Sequence, residues 1–381
     1  MGAILNGVKQ GMPLVNGVKM NGLIGGSKIW KKGYWKIVTS PETLNNTYMM
    51  NDGNGNVYVS KNGNALSNYC YKFDGINWVK INFPTPLSMY YMTHDSNHNV
   101  YFTGNSSAQR SNIWYKYDGT TFTLITPPVA LASQGLCTDS NGNIYTQDTV
   151  NMSSLTYDFY KYDGSVWTKL PSPPVQLMAY YMKCDNNGNL YAVNSSVSTV
   201  GWYKYDGSTW TLINPPVPLN SYNMNIDVNN NVYAFNGNTG VTSSNIYKYD
   251  GNSWTLITPP AQLLIVYVYA DKSGNIYMNS SNSPTNSWYK YDGNDWYHIP
   301  PFTPLSGSDN TRNSGILMIA NACPAIAEAS NVWGMYNGSE WIRIEDSPID
   351  LVNIFMNITD NYLLTCDTYN TPTNKWYIYV F

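Results

Sequence analysis

The sequence predicts an all-β protein built by repetition, and three observations carry that prediction. First, a Tyr-Asp-Gly turn followed by Trp, as in Tyr205-Asp206-Gly207-Ser208-Thr209-Trp210, recurs along the chain. Its glycine stands at Gly75, Gly119, Gly164, Gly207, Gly251, Gly293 and Gly338, in steps of 44, 45, 43, 44, 42 and 45 residues. A degenerate copy, Trp30-Lys31-Lys32-Gly33-Tyr34-Trp35, lies 42 residues before the first. Second, each period holds four short β-branched and aromatic runs separated by Asn, Asp and Gly, which are strand and hairpin signals. Third, no stretch of helical length shows a 3.6-residue apolar period. Four strands in about 40–45 residues make the blade of a β-propeller, a unit that buries its faces only by stacking on copies of itself.

Lettering the strands a to d, the fifth repeat shows all four: Tyr222 to Ile226, Val232 to Phe235, Ser243 to Tyr249 and Trp254 to Ile257. The a–b turn reads Asp-x-x-Gly-Asn-x-Tyr, from Asp52 to Tyr58, Asp139 to Tyr145, Asp185 to Tyr191 and Asp271 to Tyr277, with His98 and Asn230 replacing the glycine in two copies. Asn and Gly accept the positive φ that tight hairpins need. The c–d turn is the Asp-Gly pair. A Pro-rich connector joins d to the next a at Pro127-Pro128, Pro173-Pro174, Pro215-Pro216 and Pro259-Pro260, each followed by a leucine three positions on. Proline stiffens this crossing and has no N–H to satisfy.

Seven full sets run from about Tyr48 to Ile344, the seventh degenerate around Gly315 to Asn331. An eighth has a and b near Ile354 to Cys366 and c at Trp376 to Tyr379, and the chain stops without a strand d. The N-terminus begins with an orphan d, Trp35 to Val38. The expectation is an eight-bladed propeller of four-stranded blades, with that N-terminal strand completing the last blade and closing the ring. Closure removes sheet edges that would invite aggregation. Seven blades follow if the weak seventh or eighth set packs elsewhere. Residues 28–381 form the propeller and residues 1–27 an attachment segment.

Composition narrows the function. The formal net charge is −3 and only 12% of residues are charged, which argues against nucleic acid as a partner. Apolar content of 43% supplies inter-blade cores. The five cysteines, Cys70, Cys137, Cys184, Cys323 and Cys366, are scattered and form no C-x-x-C, so buried free thiols are expected above disulfides or metal sites. Residues 1 to 26 have no apolar h-region, and no run of 18 apolar residues suggests a membrane span. A polar, Asn-, Ser-, Thr- and Tyr-rich surface without an export signal fits a virion protein released by lysis, and equally a cytoplasmic protein with an unusual surface.

The first thirty residues lie outside the repeat. Leu5-Asn6-Gly7-Val8-Lys9 recurs as Val15-Asn16-Gly17-Val18-Lys19, followed by Asn21-Gly22 and Gly25-Gly26 before Ile29-Trp30. Asn-Gly between β-formers predicts two tiny hairpins. So short a segment has no core of its own and docks either on the propeller or on a partner protein. Asn6, Gly7, Asn16, Gly17, Asn21 and Gly22 are its attachment candidates.

The run Val15-Asn16-Gly17-Val18-Lys19-Met20-Asn21-Gly22, then Gly25-Gly26-Ser27-Lys28-Ile29-Trp30, resembles the leaders of tail and baseplate proteins from phages of Gram-positive bacteria. The repeats are similar to those of phage tail-tip and fibre propellers. The resemblance implies a non-enzymatic, receptor-binding or fibre-type virion protein. Its leader would hold other virion proteins while its propeller meets host cell-wall polysaccharide or teichoic acid during adsorption. The long stem common in tail fibres is missing, which leaves oligomerisation open. The alternatives are a purely structural virion scaffold and a glycan-active enzyme or lectin-like propeller.

In a propeller the b–c loops and d–a connectors share one face, and the a–b and c–d turns share the other. The turns hardly change between repeats, whereas the b–c loops vary from Ser60 to Asn68, Thr103 to Asn112, Gln147 to Asp158, Asn194 to Gly201, Asn236 to Asn245 and Asn279 to Ser287. Constancy for folding and variation at one loop mark the ligand face. Its candidates are Asn105, Arg110, Asn151, Asn194, Asn236 and Asn279, suited to hydrogen-bonding sugar hydroxyls or polyol phosphate. The competing view is that these loops are merely solvated.

Other motifs point away from chemistry. Asp185-Asn186-Asn187-Gly188-Asn189 and its copies look like the start of a calcium loop but lack the later bidentate Glu. Trp78, Trp167, Trp210, Trp254, Trp296 and Trp341 recur too regularly to be anything but inter-blade packing. The Asp-Gly-x-x-Trp run resembles a sialidase Asp-box one residue short, and the three arginines, Arg110, Arg312 and Arg343, stand in unrelated positions. Tyr90-Tyr91 and Tyr180-Tyr181 on strand a suggest channel lining or a slot in the channel. His94, His98 and His298 make weak metal evidence. With no nucleophile triad or phosphate loop, neither catalytic residues nor a cofactor is expected.

Overall fold

The computed structural model describes residues 4–5, 8–9, 14–15, 18–22, 29–31, 33–45, 48–63, 65–104, 110–133, 135–149, 154–195, 199–236, 242–243, 245–264, 269–271, 273–280, 285, 287–305, 318–321, 329–337, 339–352, 357–359, 361–368 and 372–381. Every regular element among them is a β-strand, and every paired strand is antiparallel. Sets of four antiparallel strands recur within the sheets. In the fourth repeat the order is Leu177–Cys184, Leu190–Val193, Trp202–Tyr205, Trp210–Leu212. The fifth runs Asn220–Ile226, Val232–Phe235, Ile246–Tyr249, Trp254–Ile257. These sheets are propeller blades: a meander from inner to outer strand, stacked face to face on its neighbours.

Strand b is an inner strand of its sheet and, wherever its side chains are described, is buried on both sides. Val57 and Val59 pack with Leu364, Trp376 and Ile378, whereas Tyr58 between them packs with Val100, Phe102 and Tyr117. The period-2 alternation of a strand therefore feeds two different inter-blade cores, which is why strand b reads as continuously apolar and aromatic. The d-strand tryptophans sit in these seams as expected. Trp167 meets Trp114, Trp254 meets Trp202, Trp341 meets Trp288 and Trp78 meets Trp376, with ring centroids 5.1–5.6 Å apart. Three of these indole N–H groups donate back to the end of the preceding strand d, Trp167 to the Ile125 carbonyl, Trp254 to Ile213 and Trp341 to Ile299, whereas that of Trp78 has no partner among the described residues.

The N-terminal strand is longer than the sequence suggested. Tyr34–Leu44 pairs with the last strand, Thr373–Val380, in a sheet completed by Asn357–Ile358 and Tyr362–Cys366. It behaves as a strand d: the Trp35 ring packs at a tilt against Trp333, with centroids 5.4 Å apart, and its indole donates to the Glu345 carbonyl at 2.6 Å, 310 residues away. In the other direction, Trp30-Lys31 does not act as a c–d turn. Ile29–Lys31 pairs with Val18–Gly22, ahead of the propeller. Strands d of the first repeat and a of the second merge into one element, Trp78–His94, across Pro84 and Pro86. Proline favours extended backbone before it, and register shifts on both sides absorb the crossing. In the seventh repeat the sheet has Met318–Asn321, Trp333–Tyr336 and Trp341–Arg343. Its expected strand a falls outside the described residues.

One contact recurs at every seam. A Ser or Thr just before strand c pairs with a leucine in the connector that leads into the following strand a. The pairs are Ser67 with Leu87, Ser111 with Leu131, Thr156 with Leu177, Thr199 with Leu219, Ser243 with Leu263, Thr285 with Leu305, Ser330 with Leu351 and Thr373 with Leu44. Each of these leucines is 0% exposed. The hydroxyl holds the bend by accepting the N–H two residues on, at Tyr69, Ile113, Asp158, Gly201, Ser287, Val332 and Lys375, a Ser/Thr turn. These leucines are the ones that trail the prolines of the connector.

Candidate ligand-binding face

This pairing of Ser or Thr with Leu, the clasp between repeats, places the b–c loops and the connectors on one face. Because b–c loop residues pair with connector residues, both lie at one end of the blades, and the a–b and c–d turns lie at the other. The two ends differ in what their polar groups have left to offer.

At the turn end the polar groups are consumed. Asp185 accepts the N–H groups of Asn187 and Asn189, the Asn189 Nδ2 and the Tyr191 hydroxyl, at 2.7–3.2 Å. Asp95, Asp139, Asp227 and Asp271 are filled in the same way. Four donors on one carboxylate leave no room for a cation, so these are hairpin cages. Burial, then the aspartate beside it, pushes the Tyr191 hydroxyl above its ordinary pKa. The glycine substitutes do take the left-handed conformation, His98 at φ 65° and Asn230 at φ 66°. Each also reaches a neighbouring turn: His98 Nδ1 lies 2.9 Å from the Asp52 carbonyl, and Asn230 Oδ1 accepts the Asn186 N–H at 2.9 Å. The c–d aspartates, such as Asp206, accept the N–H groups two and three residues on.

At the loop end the picture is mixed. Arg110 is exposed on the short strand Arg110–Ser111, opposite Ala132 and one residue before the clasp. Asn194 and Asn236 are exposed at the ends of their strands b. Asn194 is tied into its own loop: its N–H donates to Gly201 at 3.0 Å, its Oδ1 accepts the Thr199 hydroxyl at 2.8 Å, and its amide occupies the space a Cβ on Gly201 would need. The Asn236 N–H donates to the Asn245 carbonyl at 3.2 Å. Asn279 corrects the expectation of a row of exposed asparagines. It is 0% exposed at the seam beside Trp288, and neither its Nδ2 nor its Oδ1 has a partner. It continues the buried register of Tyr277, two residues earlier, which turns it inward. Asn105 and Asn151 lie outside the described residues.

A cluster that the repeat alignment missed lies at the same end. Glu42, on the N-terminal strand, takes Lys61 Nζ at 2.7 Å, the Tyr69 hydroxyl at 3.1 Å and the Tyr71 hydroxyl at 2.9 Å. Lys61 also donates to the Thr43 carbonyl, and Lys80 Nζ stands 3.6 Å over the Tyr69 ring. Lys61 above all, with Tyr71 and Tyr69, holds the Glu42 carboxyl down to about 2, against the desolvation that opposes it. The signal was negative: Glu42 has no counterpart in the other connectors, so aligning copies hid it.

Of the attachment candidates, Asn21 and Gly22 lie in the strand Val18–Gly22, opposite Trp30 and Ile29. Asn6, Gly7, Asn16 and Gly17 fall outside the described residues. They are flanked by Ile4–Leu5 paired with Val8–Lys9, and by Leu14–Val15 paired with Val18 and Lys19. The side chains of Tyr90, Tyr91, Tyr180 and Tyr181 lie outside the described set too. Cys70, Cys137, Cys184 and Cys366 are free thiols. Among the described residues no three His, Cys, Asp or Glu side chains converge as a metal would require, and no helix is long and apolar enough to cross a membrane.

No protein-family model matches the chain, and no curated protein matches it. Solved structures similar to it include YCF48 from Cyanidioschyzon merolae, with a TM-score of 0.42, 10% identity, and coverage of 91% of this chain and 98% of that one. Virginiamycin B lyase from Staphylococcus aureus gives 0.44, 10%, and 91% and 100%. A fungal alcohol oxidase of the AA5 family in complex with copper gives 0.49, 12%, and 91% and 76%. Likenesses this distant are silent on activity.

Proposed function

We propose that the chain is an eight-bladed propeller closed by its N-terminal strand, and that it serves as a non-enzymatic phage virion protein whose loop face binds host cell-wall glycan or teichoic acid. The observation that carries the binding-face reading is the contrast around the clasp. The pairing of Ser or Thr with Leu is the same at every seam, including the one between Thr373 and Leu44. The loops that lead into it differ: five residues separate Val193 from Thr199, and eight separate Gln147 from Thr156. A scaffold that holds loop ends constant while contents vary is the arrangement of a recognition surface. Exposed Arg110 and Asn236 give that surface a cation for phosphate and amides for sugar hydroxyls. The paired strands ahead of Tyr34 supply the virion attachment.

The test is co-sedimentation of the full chain with purified Gram-positive cell walls, with and without extraction of teichoic acid. Binding that falls at least tenfold when Arg110 and Asn236 are both replaced by alanine supports the reading. A chain that no wall retains, found in particles with its loop face covered by another virion protein, would establish the scaffold instead.

A further inference from the structure

Cys137 and Cys184 belong to neighbouring inner strands, Cys137–Thr138 of the third repeat and Leu177–Cys184 of the fourth. Those strands approach within 8 Å between Cα atoms. Both thiols pack in one core cluster with Tyr145, Phe159 and Met182. The repeat itself gives the geometry. One seam earlier, Thr93 Oγ1 lies 2.8 Å from Thr138 Oγ1. Counted from the aspartate that opens each a–b turn, Asp95, Asp139 or Asp185, Thr93 and Cys137 stand two residues before it, and Thr138 and Cys184 one before. Cys137 therefore stands to Cys184 as Thr93 stands to Thr138, which sets the two thiols side by side in that cluster.

We propose that Cys137 and Cys184 form a dithiol modification site that reacts with a small disulfide, such as glutathione disulfide, and closes into a covalent bridge between two blades. Cys184 is half-exposed and Cys137 is 9% exposed, which sets the order of events. The Cys184 thiolate attacks one sulfur of the small disulfide, forms a mixed disulfide and releases one small thiol. The Cys137 thiolate then attacks the Cys184 sulfur, forms the protein disulfide and releases the second. The protein loses two electrons and two protons, and the small disulfide becomes two thiols. Burial, with Cys184 beside it, pushes the Cys137 thiol well above its usual range, so the second step accelerates with pH. Cys70 and Cys366 offer no such entry: both are 0% exposed, in different clusters. A bridge here would tie strands a of adjacent blades in an oxidising medium and open again on reduction.

The test uses the full chain, incubated with oxidised and reduced glutathione at pH 7 and pH 8, then alkylated in denaturant without reductant and mapped by mass spectrometry. The expected product has lost two hydrogens, carries a cross-linked peptide joining Cys137 to Cys184, and keeps alkylatable thiols at Cys70, Cys323 and Cys366. It forms faster at pH 8 than at pH 7, since the thiolate is the nucleophile, and reverts with dithiothreitol. The variant Cys137→Ser should stop at glutathione on Cys184. Five alkylatable thiols in the unmodified chain, or a mixed disulfide that persists in it, would overturn the proposal. If Cys137→Ser does not fold, the unmodified chain alone decides between these outcomes.

Discussion

Thr373 and Leu44 stand opposite each other in antiparallel register, and through them the last strand of the chain grips the connector that leads into the first full repeat. The same pairing joins Ser111 to Leu131 between repeats that are contiguous in sequence. The seam between the chain's two ends is thus built from the same parts as the others, without a covalent link to hold it.

Leu44→Ala should therefore cost as much as the same change between two contiguous repeats. Leu44 and Leu131 are both 0% exposed, and each truncation is expected to destabilise the protein by about 3 kcal/mol, measured by urea unfolding. A cost below about 1 kcal/mol for Leu44→Ala alone would mean that the terminal seam is not closed in solution.

Glu42 adds an acid-sensitive element to that seam. Its folded pKa, about 2, is below its ordinary value of 4.5. A depressed carboxylate contributes stability above 4.5, and that contribution is lost as pH falls through about 2. The group is partly exposed, so the effect is under about 1 kcal/mol. Thermal unfolding of Glu42→Gln should match the parent near pH 2 and fall below it at pH 6. A constant difference across that range would place the effect in packing.

His98 combines a left-handed backbone with a bond from its ring to the Asp52 carbonyl. His98→Gly relieves the backbone cost but loses the bond, and should change stability by less than about 1 kcal/mol. His98→Ala keeps the cost and loses the bond, and should destabilise by about 1–2 kcal/mol. Equal midpoints for the two variants in thermal melts would refute this account.

The aspartate cages make a contrast with a calcium site. Asp185→Ala strands the Asn189 amide and the Tyr191 hydroxyl, the latter residue 1% exposed, and should cost about 2–4 kcal/mol. Calcium or chelator added to the parent should leave its melting temperature unchanged. A calcium-dependent shift that Asp185→Ala abolishes would show that the cage opens to bind metal.

What could be read from the sequence was whatever the chain decides within a few residues. The Asp-x-x-Gly-Asn turns, the positive φ at His98 and Asn230, the strand alternation and the seam tryptophans all follow from local sterics and a constant period, and all are present in the fold. The connector leucines were visible but unexplained, since their partners sit on another strand. What only the tertiary structure decided are relationships between distant segments and the direction of side chains at strand ends. The N-terminal strand runs on past Val38 to Leu44, its Trp35 reaches Glu345, and Glu42 gathers Lys61, Tyr69 and Tyr71. Asn279 turns inward although Asn194 and Asn236, its counterparts by loop alignment, are exposed. Asn279 is the last residue of its strand b, opposite Trp288 as Val193 is opposite Trp202, and the seam buries that position on every such strand whose side chains are described; Asn194 and Asn236 stand one residue beyond theirs, where the seam packing has ended.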